Sequence, residues 1–262
     1  MRNLADYSIL DKSPALQYVF YPRQERGTPP AGASDLIVPV DRDVYVSCRF
    51  YVRDEAWPLI LFFHGNGEIV SDYDGIAPVY AKKGLNLVVA DYRGYGASTG
   101  TPTVADLFKD AHVIFKAVRG ELERRGLSTS LWLMGRSLGS LSAIELASSH
   151  ENDMRGLIIE SGFANILRIL IHLGLPIYDA DFEAIDQESL NVLKTISLPT
   201  LIIHGEQDAL VPLKEAETLY DHIGAKEKRL VVIPGADHND IMFVGLEQYF
   251  KAIREFIEKT TA

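Results

Sequence analysis

The chain has 262 residues, of which 47% are hydrophobic and 24% charged, the balance of a globular protein with a large buried core. Its net charge of −10 argues against electrostatic binding to phosphate backbones, so we expect no nucleic-acid partner. The single cysteine, Cys48, excludes an intramolecular disulfide. Its place in the alternating run VYVSCRFYV predicts a packed structural thiol.

The N-terminal run MRNLADYSILDKSPALQ lacks the continuous apolar segment of a signal peptide. No stretch of the sequence approaches the roughly 18 apolar residues of a membrane span. We therefore expect a cytoplasmic protein without a transmembrane segment. The N-terminal segment that ends in GTPPAGAS is interpreted as a loosely attached arm.

Short apolar runs along the chain predict strands. The first two are joined by the turn-like residues 41–43, which favours an antiparallel pair. The later runs are almost continuously apolar, as expected for strands that are buried on both faces. The runs cover residues 35–40, 44–52, 58–65, 85–92, 131–137, 156–161, 198–205 and 228–235.

Helical patterns alternate with these runs. In the run that starts at Val104, apolar residues recur on one helical face. Alternating strands and helices indicate an α/β fold with a mainly parallel sheet and helices on both faces. The predicted helices cover residues 72–84, 104–126, 138–150, 212–224 and 245–259.

Residues 163–195 interrupt this alternation. The first half of the segment is apolar and the second half is acidic, and it is too long for one crossover helix and a loop. We interpret it as a small helical cap inserted at the carboxyl edge of the sheet, within a single domain that spans residues 1–262. An ordinary crossover helix followed by a long loop is the open alternative.

The motif Gly135-Arg136-Ser137-Leu138-Gly139 follows the predicted strand LWLM and opens a predicted helix. This context is typical of a nucleophile elbow, in which a serine occupies a sharp strand-to-helix turn. The residues two positions away on either side must then be small. The N-terminus of the following helix favours developing negative charge. Ser137 is therefore the predicted nucleophile.

A serine hydroxyl needs a base, and the base needs an acid to orient it. His238 follows the last predicted strand, and Asp208 follows the strand before it, so both lie at the carboxyl edge of the sheet. The chain order Ser, Asp, His is that of α/β-hydrolases. His204 is a weaker candidate base. Glu206 is a rival acid, but the Val-Pro that follows Asp208 marks a loop turning into a helix.

An oxyanion hole needs backbone N–H groups aimed at the developing charge. We expect one from Leu138, the residue after the nucleophile. The second is assigned to Asn66 in the glycine-rich run HGNG, with Gly67 as the next choice. His64 is interpreted as a residue that braces this loop. Arg93, in the turn-rich run DYRGYGAS, either recognises a substrate carboxylate or pairs with a neighbouring acid.

The sequence contains no metal or nucleotide signature. It lacks H-E-x-x-H, paired cysteines and G-x-x-x-x-G-K-[ST]. We therefore expect neither a metal nor a cofactor.

The runs HGNG, DYRGYGAS, GRSLG, HGEQDALVP and GADH together resemble the α/β-hydrolase superfamily from Pro58 to the C-terminus. They are most similar to the branch with Bem46-like proteins, α/β-hydrolase domain-containing proteins 13 and 17, and serine aminopeptidase-like domains. The resemblance implies a mainly parallel eight-stranded sheet flanked by helices, a short helical cap, and a triad of Ser137, Asp208 and His238. The loop after Asn66 departs from the family's usual HGNAGN or HGNAE.

The combined pattern predicts a serine hydrolase that cleaves a carboxylic ester or thioester through an acyl-enzyme, with a small-molecule acyl substrate. The substrate-binding residues and the oligomeric state stay open. One alternative is a serine peptidase or amidase of the aminopeptidase type, with Asp179, Asp181 and Glu183 available to anchor an amino terminus. Another alternative is a non-catalytic ligand-binding receptor on a hydrolase scaffold.

Overall fold

The computed structural model describes residue 11, residues 18–175 and residues 181–261. Within them, an eight-stranded sheet has the order β1-β2-β4-β3-β5-β6-β7-β8. Strands β1 and β2 and the pair β2 and β4 are antiparallel, whereas the remaining neighbours are parallel. The strands are β1 (Ala33–Asp41), β2 (Val44–Tyr51), β3 (Leu59–Phe63), β4 (Asn86–Ala90), β5 (Leu131–Arg136), β6 (Met154–Glu160), β7 (Thr200–Gly205) and β8 (Lys228–Ile233).

Helices flank this sheet, so the predicted fold class is confirmed. Short 3-10 helices cover Val70–Asp74 and Glu151–Asp153. The α-helices are α1 (Ala77–Ala81), α2 (Val104–Arg124), α3 (Gly139–Ser149), α4 (Ile166–His172), α5 (Phe182–Thr195), α6 (Leu213–His222), α7 (Ile241–Val244) and α8 (Leu246–Thr261).

The helix expected over residues 72–84 is divided into two short pieces. Pro78 lies in the first turn of α1, where its missing N–H costs nothing because that group would have no partner in the helix. Inside a longer helix, the same proline would clash with the carbonyl of the residue four positions earlier. The continuous helix predicted from the pattern was therefore wrong at this point.

The continuous apolar runs reflect burial on both faces of the sheet. Along β3, Leu61 and Phe63 pack into one core cluster and Ile60 and Phe62 into the other, because successive side chains of a strand point to opposite faces. All five residues of β3 are buried. Cys48 is also fully buried, and burial raises the pKa of its thiol, in agreement with the predicted structural role.

The segment between β6 and β7 contains α4 and α5. Buried residues of α4 join the core cluster, whereas Ile171 at its end is 49% exposed. Arg168 of α4 pairs with Asp186 of α5 at 2.5 Å, so the two helices are linked by charge as well as by apolar contact.

The described part of the N-terminal arm from residue 18 onward is attached more firmly than predicted, whereas residues 1–10 and 12–17 lie outside the described residues. Val19 and Phe20 are buried, and Gln24 forms a bridge with Gly96. Among residues 11, 18–175 and 181–261, no helix is both long and apolar enough to cross a membrane.

Candidate active site

Ser137 lies on a strained turn between β5 and α3, with a positive φ of 50°. This region is unfavourable for a residue with a side chain. The turn closes because its flanking glycines have no Cβ: one added at Gly139 would lie 2.1 Å from the carbonyl oxygen of Phe63, and one at Gly135 would lie 2.4 Å from that of Gly139. The N–H of Ser137 donates to the carbonyl of Glu160 at 2.9 Å.

The predicted base and acid lie beside this serine. His238 Nε2 is 3.0 Å from Ser137 Oγ, and His238 Nδ1 is 2.7 Å from Asp208 Oδ2. The other carboxylate oxygen, Asp208 Oδ1, accepts the N–H of Val211 at 2.7 Å. All three side chains are buried. The structure therefore brings together three residues that are far apart in the sequence, in one hydrogen-bonded series from Ser137 through His238 to Asp208.

The electrostatics favour an ionised Asp208. Burial alone raises the pKa of its carboxyl, but the hydrogen bond and charge of His238 and the N–H of Val211 leave the pKa below its ordinary value. An ionised acid next to Nδ1 favours the tautomer with its proton on that nitrogen, which leaves Nε2 as the hydrogen-bond acceptor.

The rival base lies beside the proposed acid rather than beside the serine, because His204 Nε2 is 3.5 Å from Asp208 Oδ2. His204 Nε2 bonds the carbonyl of Val211 at 2.7 Å, and burial lowers the pKa of this imidazole. The exposed Glu206 accepts the N–H of Gly235 at 2.9 Å and so stabilises the turn that leads to His238. Neither residue contacts Ser137 in the described part of the chain.

The backbone N–H groups of Asn66 and Leu138 have no acceptor among the described residues. The Asn66 side chain makes three hydrogen bonds: its Oδ1 accepts Tyr95 Oη at 2.6 Å and the N–H of Tyr21 at 2.9 Å, and its Nδ2 donates to the carbonyl of Val19 at 2.8 Å. The docked N-terminal segment therefore holds the loop that carries this N–H.

The two other predicted loop residues have structural partners. His64 is buried, with Nε2 3.1 Å from Asp91 Oδ1, in agreement with a bracing role. Arg93 donates to both carboxylate oxygens of Asp110, at 2.6 and 2.8 Å. Of the two alternatives for Arg93, the structure therefore favours pairing with a neighbouring acid.

One residue at the site was missed in the sequence. Arg136, the variable residue before Ser137 in the motif, donates from Nη2 to the carbonyl oxygen of His238 at 2.7 Å. Its position next to Ser137 could have pointed to a role at the site. Its partner could not be found from the sequence, because His238 lies 102 residues further along the chain. Among the described residues, no group of three or more histidine, cysteine, aspartate or glutamate side chains could hold a metal ion.

A mainly parallel sheet with a serine on a glycine-flanked turn, and an acid and a histidine after later strands, defines the α/β-hydrolase class. The sequence model of the Hydrolase_4 family, described as serine aminopeptidase, S33, matches residues 54–174 and 182–242. The chain therefore belongs to this family, which confirms the resemblance predicted from its motifs.

Curated relatives agree with this assignment. Protein bem46 of Schizosaccharomyces pombe is 29% identical over 208 residues, covering 78% of this chain and 68% of the relative. Alpha/beta hydrolase domain-containing protein 17C of Mus musculus is 30% identical over 223 residues, covering 82% of this chain and 65% of the relative. The chain thus spans about two thirds of the length of these relatives.

Solved structures show the same fold. The esterase Pf2001 of Pyrococcus furiosus has a TM-score of 0.73 at 20% identity, covering 93% of this chain and 99% of the esterase. A soluble variant of monoglyceride lipase from Saccharomyces cerevisiae has a TM-score of 0.69 at 18% identity, covering 92% and 98% of the two chains. At these identities the likeness concerns the fold.

Proposed function

We propose that this protein is a serine hydrolase that cleaves carboxylic esters or thioesters of small molecules, in class EC 3.1, with Ser137 as nucleophile, His238 as base and Asp208 as orienting acid. The observation that carries the proposal is the continuous hydrogen-bonded path from Ser137 Oγ through the imidazole to Asp208, with steps of 3.0 and 2.7 Å. Two structural neighbours, an esterase and a monoglyceride lipase, agree with it.

In the first half of the reaction, Ser137 Oγ attacks the carbonyl carbon while His238 Nε2 takes the hydroxyl proton. The carbonyl oxygen becomes an oxyanion, which the backbone N–H groups of Leu138 and Asn66 stabilise. Asp208 stabilises the imidazolium that has formed. The tetrahedral intermediate then collapses: the bond to the alcohol or thiol breaks, and His238 gives its proton to that leaving group.

In the second half, His238 takes a proton from water, and the hydroxyl attacks the acyl-enzyme. Collapse of the second tetrahedral intermediate releases the carboxylic acid and returns the proton to Ser137 Oγ. The same oxyanion donors and the same histidine therefore serve both halves, so loss of any one of them affects acylation and deacylation together.

Residues 163–175 and 181–195, the described part of the segment 163–195, are proposed to cap this site. His172 Nε2, at the end of α4, hydrogen-bonds the carbonyl of Ala209 at 3.0 Å, which joins the cap to the loop next to Asp208. This contact supports a role for the cap in shaping the entrance for the acyl group.

The test is Ser137→Ala with short p-nitrophenyl esters as substrates, with Ser197→Ala as the matched control. Ser197 loses only a hydroxyl that pairs with Glu151 at 2.9 Å on the surface. We expect Ser137→Ala to lower kcat at least about 10³-fold and to abolish labelling by a fluorophosphonate probe. Activity of Ser137→Ala within about tenfold of the wild type would exclude the assignment, because no serine nucleophile would then be needed.

A peptidase or amidase is the second candidate, and the family description of serine aminopeptidase favours it. Of the acidic residues available to anchor an amino terminus, Asp179 lies outside the described residues. Asp181 caps α5 by accepting the N–H of Ala184 at 3.1 Å, and Glu183 is exposed. Comparing kcat/KM for esters and for matched aminoacyl amides separates the two. A receptor with a dormant serine would neither hydrolyse the esters nor react with the probe.

A further inference from the structure

Arg136 connects three parts of the proposed active site. Its side chain is 11% exposed, and Nη1 forms an ion pair with Glu68. Its Nε donates to Glu160 Oε1 at 3.1 Å, and its Nη2 donates to the carbonyl oxygen of His238 at 2.7 Å. One guanidinium therefore contacts the loop after β3, the end of β6 and the loop that carries the proposed base.

Its two acidic partners extend these contacts. Glu68 Oε2 accepts the N–H of Gly65 at 2.8 Å, so Arg136 is linked through one carboxylate to the backbone next to Asn66. Glu160 accepts the N–H of Ser137 through its own carbonyl at 2.9 Å. The serine turn, the oxyanion loop and the histidine loop are thus all joined to this arginine.

The charges explain why an arginine occupies this position. Burial alone lowers the pKa of Arg136, but the carboxylates of Glu68 and Glu160 raise it overall, so the side chain stays charged. A planar guanidinium presents its N–H groups in several fixed directions at once. A lysine would keep the charge but could not hold two carboxylates and a carbonyl oxygen in this geometry.

We propose that Arg136 is a positioning residue: it fixes the distance from His238 to Ser137 and, through Glu68, the placement of the Asn66 N–H. This inference rests on the proposed ester hydrolysis. A displacement of about 1 Å in a reacting group can cost on the order of 100-fold in rate. The bond from Arg136 Nη2 to the carbonyl of His238 ties the loop after β8 directly to β5.

Arg93 supplies a matched control. Its side chain is 9% exposed, close to that of Arg136, and it also lies among carboxylates. Its Nε is 2.6 Å from Asp110, and its Nη1 is 3.2 Å from Asp106. Arg93 has no contact with the histidine loop in the described residues, so Arg93→Lys removes a comparable ion-pair geometry without touching the proposed base.

The experiment compares kcat and KM of Arg136→Lys, Arg93→Lys and the wild type on a p-nitrophenyl ester. Urea unfolding first shows that each variant is folded under the assay conditions. We expect Arg136→Lys to lower kcat at least about tenfold with KM changed less than about threefold, because positioning acts on the chemical step. Arg93→Lys should keep kcat within about threefold. The low-field proton resonance of His238 Nδ1–H should shift or broaden only in Arg136→Lys.

Equal kcat values and unchanged resonances in the two lysine variants would overturn the inference, even when the wild type hydrolyses the ester and is labelled at Ser137. A wild type that neither hydrolyses the ester nor reacts with the fluorophosphonate would instead remove the proposed function and, with it, the inference. Should Arg136→Lys fail to fold, Glu68→Gln replaces it. A kcat lowered at least about tenfold then supports the inference, and a smaller loss contradicts it.

Discussion

His238 and Asp208 are joined by a hydrogen bond of 2.7 Å between Nδ1 and Oδ2, although 30 residues separate them in the chain. The bond leaves the opposite nitrogen of the imidazole directed at Ser137 Oγ, 3.0 Å away. The remaining carboxylate oxygen is held by the N–H groups of Leu210 and Val211, at 3.1 and 2.7 Å. The acid is therefore held in place before any substrate arrives.

Asp208→Asn is expected to lower kcat on a p-nitrophenyl ester on the order of 10⁴-fold, because an amide in this position favours the wrong tautomer of the imidazole. Glu206→Gln is the control. Glu206 is exposed, and among the described residues its carboxylate accepts the N–H of Gly235, so that variant should stay within about threefold of wild type. A larger loss in Glu206→Gln than in Asp208→Asn would reverse the assignment of the acid.

The effects of Ser137→Ala and His238→Ala on kcat should not be additive. If the two residues act as a unit, each single change removes the same proton-transfer path, and the double variant is scarcely slower than either single one. The steady-state kcat values of the wild type, the two single variants and the double variant form a double-mutant cycle that measures this coupling. Losses that multiply would mean that His238 acts independently of the serine.

Gly139→Ala should disrupt the serine turn. The added methyl group would lie 2.1 Å from the carbonyl oxygen of Phe63, and forcing atoms into a packed site costs about 1–3 kcal/mol. We expect a lower melting temperature together with a loss of ester hydrolysis.

Gly120→Ala is the matched control for that change. Gly120 lies within α2, where an added Cβ has no atom within 4 Å. Alanine is favoured over glycine inside helices by about 0.5–1 kcal/mol. This variant should therefore melt slightly higher and keep full activity. If both alanine variants behave alike, the close approach at Gly139 is not what limits its substitution.

Acid should weaken the folded protein through Asp208. Its pKa in the folded state lies below the ordinary value of 3.8, so its ionised form stabilises the fold fully above that value. This stabilisation is lost as the pH falls through the lower, folded-state pKa. Urea unfolding at about pH 6 and about pH 3 should show a smaller loss in the free energy of unfolding for Asp208→Asn than for the wild type. Equal losses would contradict this linkage.

The sequence by itself determined the sheet and the serine turn. Apolar runs such as LILFF are local patterns. A strand in which every side chain is apolar predicts burial on both faces of the sheet, and all five residues of β3 are buried. The glycines around Ser137 are also a local signal, since only small residues allow the turn. The break at Pro78 could have been read from the sequence, since proline disfavours a helix interior.

The tertiary structure alone decided which side chains meet. Asp208 and Glu206 are two residues apart and both carry a carboxyl group, but only the direction of each side chain from its loop brings Asp208, and not Glu206, to His238. The contact from Arg136 to the carbonyl of His238 is likewise absent from any local pattern. Such contacts depend on how separate loops pack at one edge of the sheet. No short stretch of sequence encodes the distance between side chains on two different loops.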